Sequence, residues 1–151
     1  MIEVNRLVEE QQLALGDDPE NHCKIVDDEA LQQYLDDEYF EKSPFSSPSG
    51  LVIDYHSAGL IPDHNHIHAV FVLRCNPNTL TERLRTRDYS TDQIKSRICL
   101  EKFDVCLNEA RESFHEPMVY ELINDTETDF ENNLVRLTQW IHQWPIQSEF
   151  H

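Results

Sequence analysis

A chain of 151 residues has the size of one ordinary domain, able to bury roughly two-thirds of the surface its unfolded form exposes without disulfide or metal support. Its 29 acidic against 12 basic residues give a net charge of −17, with thirteen of the acids and only Arg6 and Lys24 in residues 1–41. Nonspecific attachment to nucleic acid or to an anionic membrane is thereby excluded; a basic protein is the natural partner, solubility alone being the other use of such charge.

Cys23, Cys75, Cys99 and Cys106 show no C-x-x-C spacing, and no leader-like segment or apolar run of about 20 residues occurs, so free thiols in a soluble, intracellular protein are expected. Along the chain, Ile2 and Val4 read as a strand end. Leu7, Val8, Gln11 and Leu15 then follow helical spacing, with Gly16 as the stop. Residues 16–24 are expected as an acidic loop and Ile25 and Val26 as a short buried step, after which Asp27 caps a helix with Leu31, Tyr34 and Leu35 on one face. Residues 42–49, with two prolines and four serines, read as a loop within the domain.

Leu51-Val52-Ile53 and Ala69-Val70-Phe71-Val72-Leu73 are β-branched runs of the kind that make buried parallel strands. Between and after them the chain turns through Pro62, then starts a helix at Asn76 and Pro77 with Leu80 and Leu84 inward. That helix ends in the basic stretch Arg83, Arg85 and Arg87. A single further helix is predicted from about Thr91, carrying Ile94, Ile98, Val105 and Ala110 inward up to Pro117. Met118 to Ile123 is the third strand. The last helix opens with the capping box Thr128-x-x-Glu131 and buries Phe130, Leu134, Leu137, Ile141 and Trp144. Strands alternating with helices predict an α/β fold with a parallel sheet in a single domain, 1–151.

Ligands of open α/β sheets sit beyond the carboxyl ends of the strands, where Asp54 and His56 fall. Two apart on a strand, they point to one side and suit the handling of Mg²⁺ and a water or hydroxyl, with Asp54 reaching the ion through water. The same spacing also suits a hydrogen-bonded pair closing a strand end. Arginine's planar fork fits phosphate oxygens, and Arg87, furthest into the loop, is the candidate nucleotide-binding residue; a solvated helix end accounts for the other two. His64-x-His66-x-His68 sets imidazoles roughly 7 Å apart at each step, too far to share one zinc ion without a bend. The phosphate-loop signature G-x-x-x-x-G-K-[ST] cannot be drawn: the three glycines are Gly16, Gly50 and Gly59, and Asn21, Tyr55 and His64 stand five residues on from them.

Ile53-Asp54-Tyr55-His56, Val70-Phe71-Val72-Leu73-Arg74 and Leu80-x-x-Arg83-Leu84-x-x-Arg87-x-Tyr89 together resemble the adenylate kinase isoenzyme 6 family. His22-Cys23-Lys24-Ile25-Val26-Asp27-Asp28-Glu29 is similar to that family's Cys-Pro-Ile-Leu-Asp-Glu-Asp segment. Asn132, Asn133, Gln139, Trp140, Ile141 and Trp144 are similar to its C-terminal helix, so the likeness covers nearly all of the chain. The resemblance implies a P-loop, nucleoside monophosphate kinase-like fold with a five-stranded parallel sheet, Mg-ATP as cofactor, AMP-type acceptors and ATPase activity. It further implies a role in small ribosomal subunit maturation through a basic ribosomal protein, in nucleus and cytoplasm. By position it makes Asp54 and His56 the second nucleotide motif, Arg87 the arginine of a lid-like segment 86–96, and residues 1–41 the monophosphate-binding segment.

Several positions depart from that pattern. The family's opening strand, glycine-rich loop and first helix have no counterpart here, Met1 aligning just before its second strand. Glu9 stands where members carry a basic residue, Ser57 to His64 differ from the family's Gly-Cys-Asp-Phe-Phe-Pro-Glu-Arg and add one residue, and Asp88 replaces the lid glycine. The expectation is a chain inactive in phosphoryl transfer by itself, possessing family-type Mg-ATP binding or no cofactor at all. The alternative is a non-catalytic acidic module for a basic ribosomal or nuclear protein. The absent strand belongs between the Leu51 and Val70 strands; either these close on each other through the 13 residues between Asp54 and His68, or the chain is the incomplete product of a longer gene.

Overall fold

The computed structural model describes residues 1–19, 23–41, 50–61 and 67–143, which divide into two units, Met1–His68 and Ala69–His151. In the first, strand β1 (Ile2–Glu3) leads directly into helix α1 (Val4–Glu10), and α2 (Asp28–Leu35) runs on into a π turn at Asp36–Phe40. Val4, Leu7 and Val8 recur at helical spacing, as do Leu31 and Leu35, and these five bury together with Ile2, Phe40 and Ile61 as one cluster. The start of α2 follows from its sequence: the Asp27 side chain accepts the Ala30 N–H at 3.1 Å, and Asp28 and Glu29 place negative charge in the first turn.

Helix α1 does not reach Gly16. Gln12 adopts a left-handed φ of 57°, with the Leu13 N–H donating to Val8 O at 2.9 Å and the Gln12 N–H to Glu9 O at 3.4 Å. This is a Schellman stop, and it returns Leu13 to the core beside Val8. The chain leaves it extended, so what was expected as an acidic loop is, in its described part, the antiparallel hairpin of β2 (Ala14–Asp18) and β3 (Cys23–Val26). Gly16 is a strand residue, Leu15 is the extra residue of a bulge, and Ile25 is half exposed rather than buried. Strand β4 is short, Ile53–Asp54, pairing in parallel with β1, and Leu51 and Val52 lie outside it and about half exposed. A two-residue partner offers no ladder to extend the run.

The second unit is built on β5 (Val70–Arg74) and β6 (Val119–Ile123), parallel and in register from Val70 opposite Val119 to Arg74 opposite Ile123. Between them come α3 (Pro77–Arg85), α4 (Thr91–Lys102) and α5 (Val105–Ser113), and α6 (Glu127–Gln143) follows. Val72, Leu84, Leu107, Ala110, Phe114 and Leu122 are its buried apolar residues. The parallel pairs joined through helices are the expected α/β architecture. Among the described residues the ladders are β1–β4, β2–β3 and β5–β6, so the suggested closure of the Leu51 strand on the Val70 strand has none.

Three expectations for this unit are corrected. The helix predicted from Thr91 to Pro117 is broken at Asp104, which takes a φ of 54°, and Val105 is exposed while Ala110 is fully buried. The cap of α6 lies two residues earlier than expected: Thr126 Oγ1 accepts the Asp129 N–H at 3.1 Å and Asp129 Oδ2 accepts the Thr126 N–H at 2.8 Å. Phe130, Leu134 and Ile141 are about half exposed, and the buried residue of α6 is Asn133, whose amide donates to Ile123 O at 2.7 Å. Trp140 meets Phe71 edge-on at 5.5 Å. Residues 42–49, His64, His66 and Trp144 lie outside the described residues. No helix among the described residues is long and apolar enough to cross a membrane, and all four cysteines are free.

Leu35 is fully buried where α2 meets α1. Leu35→Ala is expected to cost about 2–5 kcal/mol by urea denaturation; a loss below 1 kcal/mol would remove α1 and α2 as the core of the first unit.

Candidate functional site

Asp54 closes β4, exposed, with its Cα opposite Glu3 of β1, and His56 is exposed just beyond the strand with its ring edge-on to Tyr55 at 4.5 Å. Both therefore stand at the carboxyl end of a parallel strand, as their sequence position required. Among the described residues no three His, Cys, Asp or Glu gather as a metal cluster. Asp54 offers one carboxylate, the usual protein share for a Mg²⁺ that arrives on substrate phosphates. The zinc reading of the histidines rests on His64 and His66, which lie outside the described residues.

The second unit holds a cavity of about 230 Å³ at the carboxyl ends of β5 and β6. Leu73, Leu80 and Leu84 supply apolar wall; Arg74, Cys75, Arg83, Arg87, Glu101 and Asn124 supply the rest. The chain builds it from helix α3, started by the Asn76 side chain accepting the N–H groups of Asn78 and Thr79 at 3.1 and 3.0 Å. Seven residues past Asn76, Arg83 reaches across to the exit of β6, donating from Nη1 to Asn124 O at 2.6 Å and from Nη2 to Asp125 O at 3.0 Å. Arg83 is thus a fixed wall and not a solvated helix end, whereas Arg85 is exposed and pairs with Glu82 at 3.1 Å. Arg87 is exposed past the end of α3, at the cavity.

Behind the cavity, Arg74 donates to Glu101 at 2.8 Å, to Glu121 at 2.9 Å and to Asp104, and Glu101 Oε1 also accepts the Cys75 N–H at 3.2 Å. Burial is the largest influence on the Cys75 thiol and pushes its pKa up, which disfavours the thiolate. The Asp125 carboxyl is held below the ordinary carboxylate value, first by the Asn76 N–H that it accepts at 2.6 Å. Asn124 Oδ1 is buried and has no hydrogen-bond partner among the described residues. The sequence reading placed Asp54, His56 and Arg87 but passed over Cys75, Glu101 and Asn124. The rule that found Asp54 applies equally to the residues after β5 and β6, and would have found Cys75 and Asn124.

The turn between α3 and α4 is a second Schellman stop. Asp88 has a φ of 58°, its N–H donates to Arg85 O at 3.1 Å, and the Tyr89 N–H donates to Leu84 O at 3.3 Å. Glycine is the usual residue at this left-handed position, so Asp88 stands where glycine is favoured. Ser90 then caps α4 in a reciprocal box with Gln93, and Arg97 lies over the Tyr89 ring at 5.1 Å.

An AAA domain profile matches residues 1–113. The chain is similar to the adenylate kinase isoenzyme 6 homolog of Caenorhabditis elegans, 36% identical over 138 residues that cover 91% of this chain and 72% of the relative. It is 35% identical to that of Schizosaccharomyces pombe over 141 residues (93% and 76%) and 32% identical to that of Dictyostelium discoideum over 143 residues (95% and 77%). The chain is therefore an α/β protein of the P-loop, kinase-like class. Within that class, it belongs to the adenylate kinase isoenzyme 6 family.

Asp88→Gly relieves a left-handed cost of about 1 kcal/mol while adding backbone freedom to the unfolded chain. The denaturation midpoint is expected to hold or rise, and Asp88→Val to lower stability by about 1–2 kcal/mol. A glycine variant clearly less stable than the parent would contradict the left-handed turn.

Proposed function

We propose that this chain is a family member whose nucleotide chemistry, the monophosphate kinase and ATPase activity of adenylate kinase isoenzyme 6 proteins, is not completed by these 151 residues alone. The observation that carries the reading is the glycine count: three, none paired at phosphate-loop spacing. Positioning and charge stabilisation of the phosphates supply nearly all of the catalysis in phosphoryl transfer. Arg87 and Asp54 are groups of the kind that assist it, and His56 joins Asp54 as the catalytic pair, but none of them replaces a cradle of backbone N–H groups. Mg²⁺ comes with ATP in this reading, through Asp54 and water.

A second reading has its own support. The acid of residues 1–41 lies on described surface at Glu3, Glu9, Glu10, Asp17 and Glu29, an area fitted to a basic protein of the small ribosomal subunit in nucleus and cytoplasm. In that role the chain binds without catalysis.

Calorimetric titration of the chain with Mg-ATP tests the first reading: no saturable heat attributable to the triphosphate is expected, and ADP formation at least about a hundredfold below that of a complete relative. Micromolar Mg-ATP affinity or turnover would reject it. For the second, a lysine- and arginine-rich peptide should bind the chain with an affinity that falls steeply between low and physiological salt; binding indifferent to salt would count against it.

A further inference from the structure

We propose that the outer edge of β2 receives an extended basic segment of a partner protein as a third strand, with a lysine or arginine matched to Asp17 on one face of the hairpin and a β-branched side chain set into the space over Gly16 on the other. The inference rests on the second reading above, a basic protein partner. It adds the element that receives the partner and the side-chain pattern that is read.

The backbone comes first. Ala14 and Val26 pack the base of the hairpin on the core of the first unit, and beyond them Gly16, Asp17, Cys23, Lys24 and Ile25 are exposed. Among the described residues β2 and β3 pair only with each other, so each strand keeps an outer row of N–H and C=O groups outside any ladder. A two-stranded hairpin is marginal in water, and a third strand is what stabilises it. Strands added in this way draw affinity from main-chain bonds and specificity from alternate side chains.

The register supplies the pattern. Gly16 stands opposite Ile25 and Asp17 opposite Lys24, and successive residues point to opposite faces. On the first face a Cβ built on Gly16 would meet nothing within 4 Å, and Ile25 beside it is 47% exposed. A β-branched side chain on a neighbouring strand fills that space and covers the isoleucine. On the second face Lys24 Nζ donates to Asp17 Oδ1 at 2.5 Å, yet the Asp17 side chain stays 73% exposed, and its carboxylate has further lone pairs for a cation arriving from the open side. Basic and apolar residues in alternation are therefore the sequence that fits.

Charge chooses the edge. A cation placed on this face beside β3 would meet Lys24, a like charge directly opposite, whereas beside β2 it meets Asp17. The bulge at Leu15 closes the regular part of β2 on one side and leaves residues 16–18 as the receiving stretch. An acidic segment is refused at the same place.

The experiment titrates the full 151-residue chain, followed by amide chemical shifts, with a peptide of about eight residues alternating lysine and valine, and with the same peptide N-methylated throughout, which keeps charge and side chains and loses every N–H donor. The first should bind with its largest shifts at residues 16–18, and the methylated form at least about tenfold more weakly. Asp17→Lys should weaken the first peptide at least about tenfold, with unchanged shifts of α1 and α2 reporting that the fold is intact. Equal affinity of the methylated peptide, largest shifts on α1 or α2, or binding indifferent to Asp17→Lys in a folded variant overturns the proposal and leaves the basic-partner reading standing. The methylated comparison is made on the native chain and decides the matter whether or not the variant folds. No binding of either peptide at millimolar concentration overturns both.

Discussion

The guanidinium of Arg74 is the joint on which the second unit depends. It ends β5, largely buried, and its donors are shared among Glu101 of α4, Asp104 at the break between α4 and α5, and Glu121 of β6. Charge-assisted bonds at a largely buried centre are worth more than the solvent-exposed pairs Arg6–Glu10 and Lys95–Asp92, which are screened and mobile. The consequence is geometric. By holding Asp104 in a left-handed conformation, Arg74 stops α4 from running straight into α5, and α5 instead turns Leu107 and Ala110 into the core. Glu101 Oε1, fixed by the same guanidinium, also accepts the Cys75 N–H and so shapes the cavity floor.

The beginnings of α2 and α3 were legible in the residues, and the ends of α1 and α4 were not. Asp27 and Asn76 announced their helices because a short polar side chain before an apolar period has one common use, bonding the first amides. The ends rest on left-handed residues, and here the work is done by Gln12, Asp88 and Asp104, with no glycine among the described residues at positive φ. A reading that looks for glycine as the stop carried α1 on to Gly16 and joined α4 to α5. The strands β5 and β6 were legible through their β-branched runs, whereas β2, with Gly16, Asp17 and Asp18, is made of poor strand formers and stands by its pairing with β3. In α6 the apolar period was real but the inward face was decided by Asn133, which seeks the carbonyl of Ile123.

The candidate site divides in the same way. Strand-end residues such as Asp54 can be read from a local run, and the want of paired glycines is a property of composition. The cavity is different, because Cys75, Arg83, Glu101 and Asn124 come from four elements spread over some fifty residues, and only the folded chain sets them round one space. An oxygen left without a partner has no sequence signature at all.

The hairpin of β2 and β3 carries a last consequence. Among the described residues each of its strands has a single partner, so its outer margins are backbone of the sort that zips onto foreign chains. Leu15 and Ile25, both well exposed, would favour such sticking, and Asp17 and Asp18 beside them oppose it by mutual repulsion between copies. That safeguard is purely electrical. A polycation seated on this ribbon cancels the repulsion as it arrives, so it must also shield the bare amides it has just unguarded, or the protein would pay for recruitment with fibres.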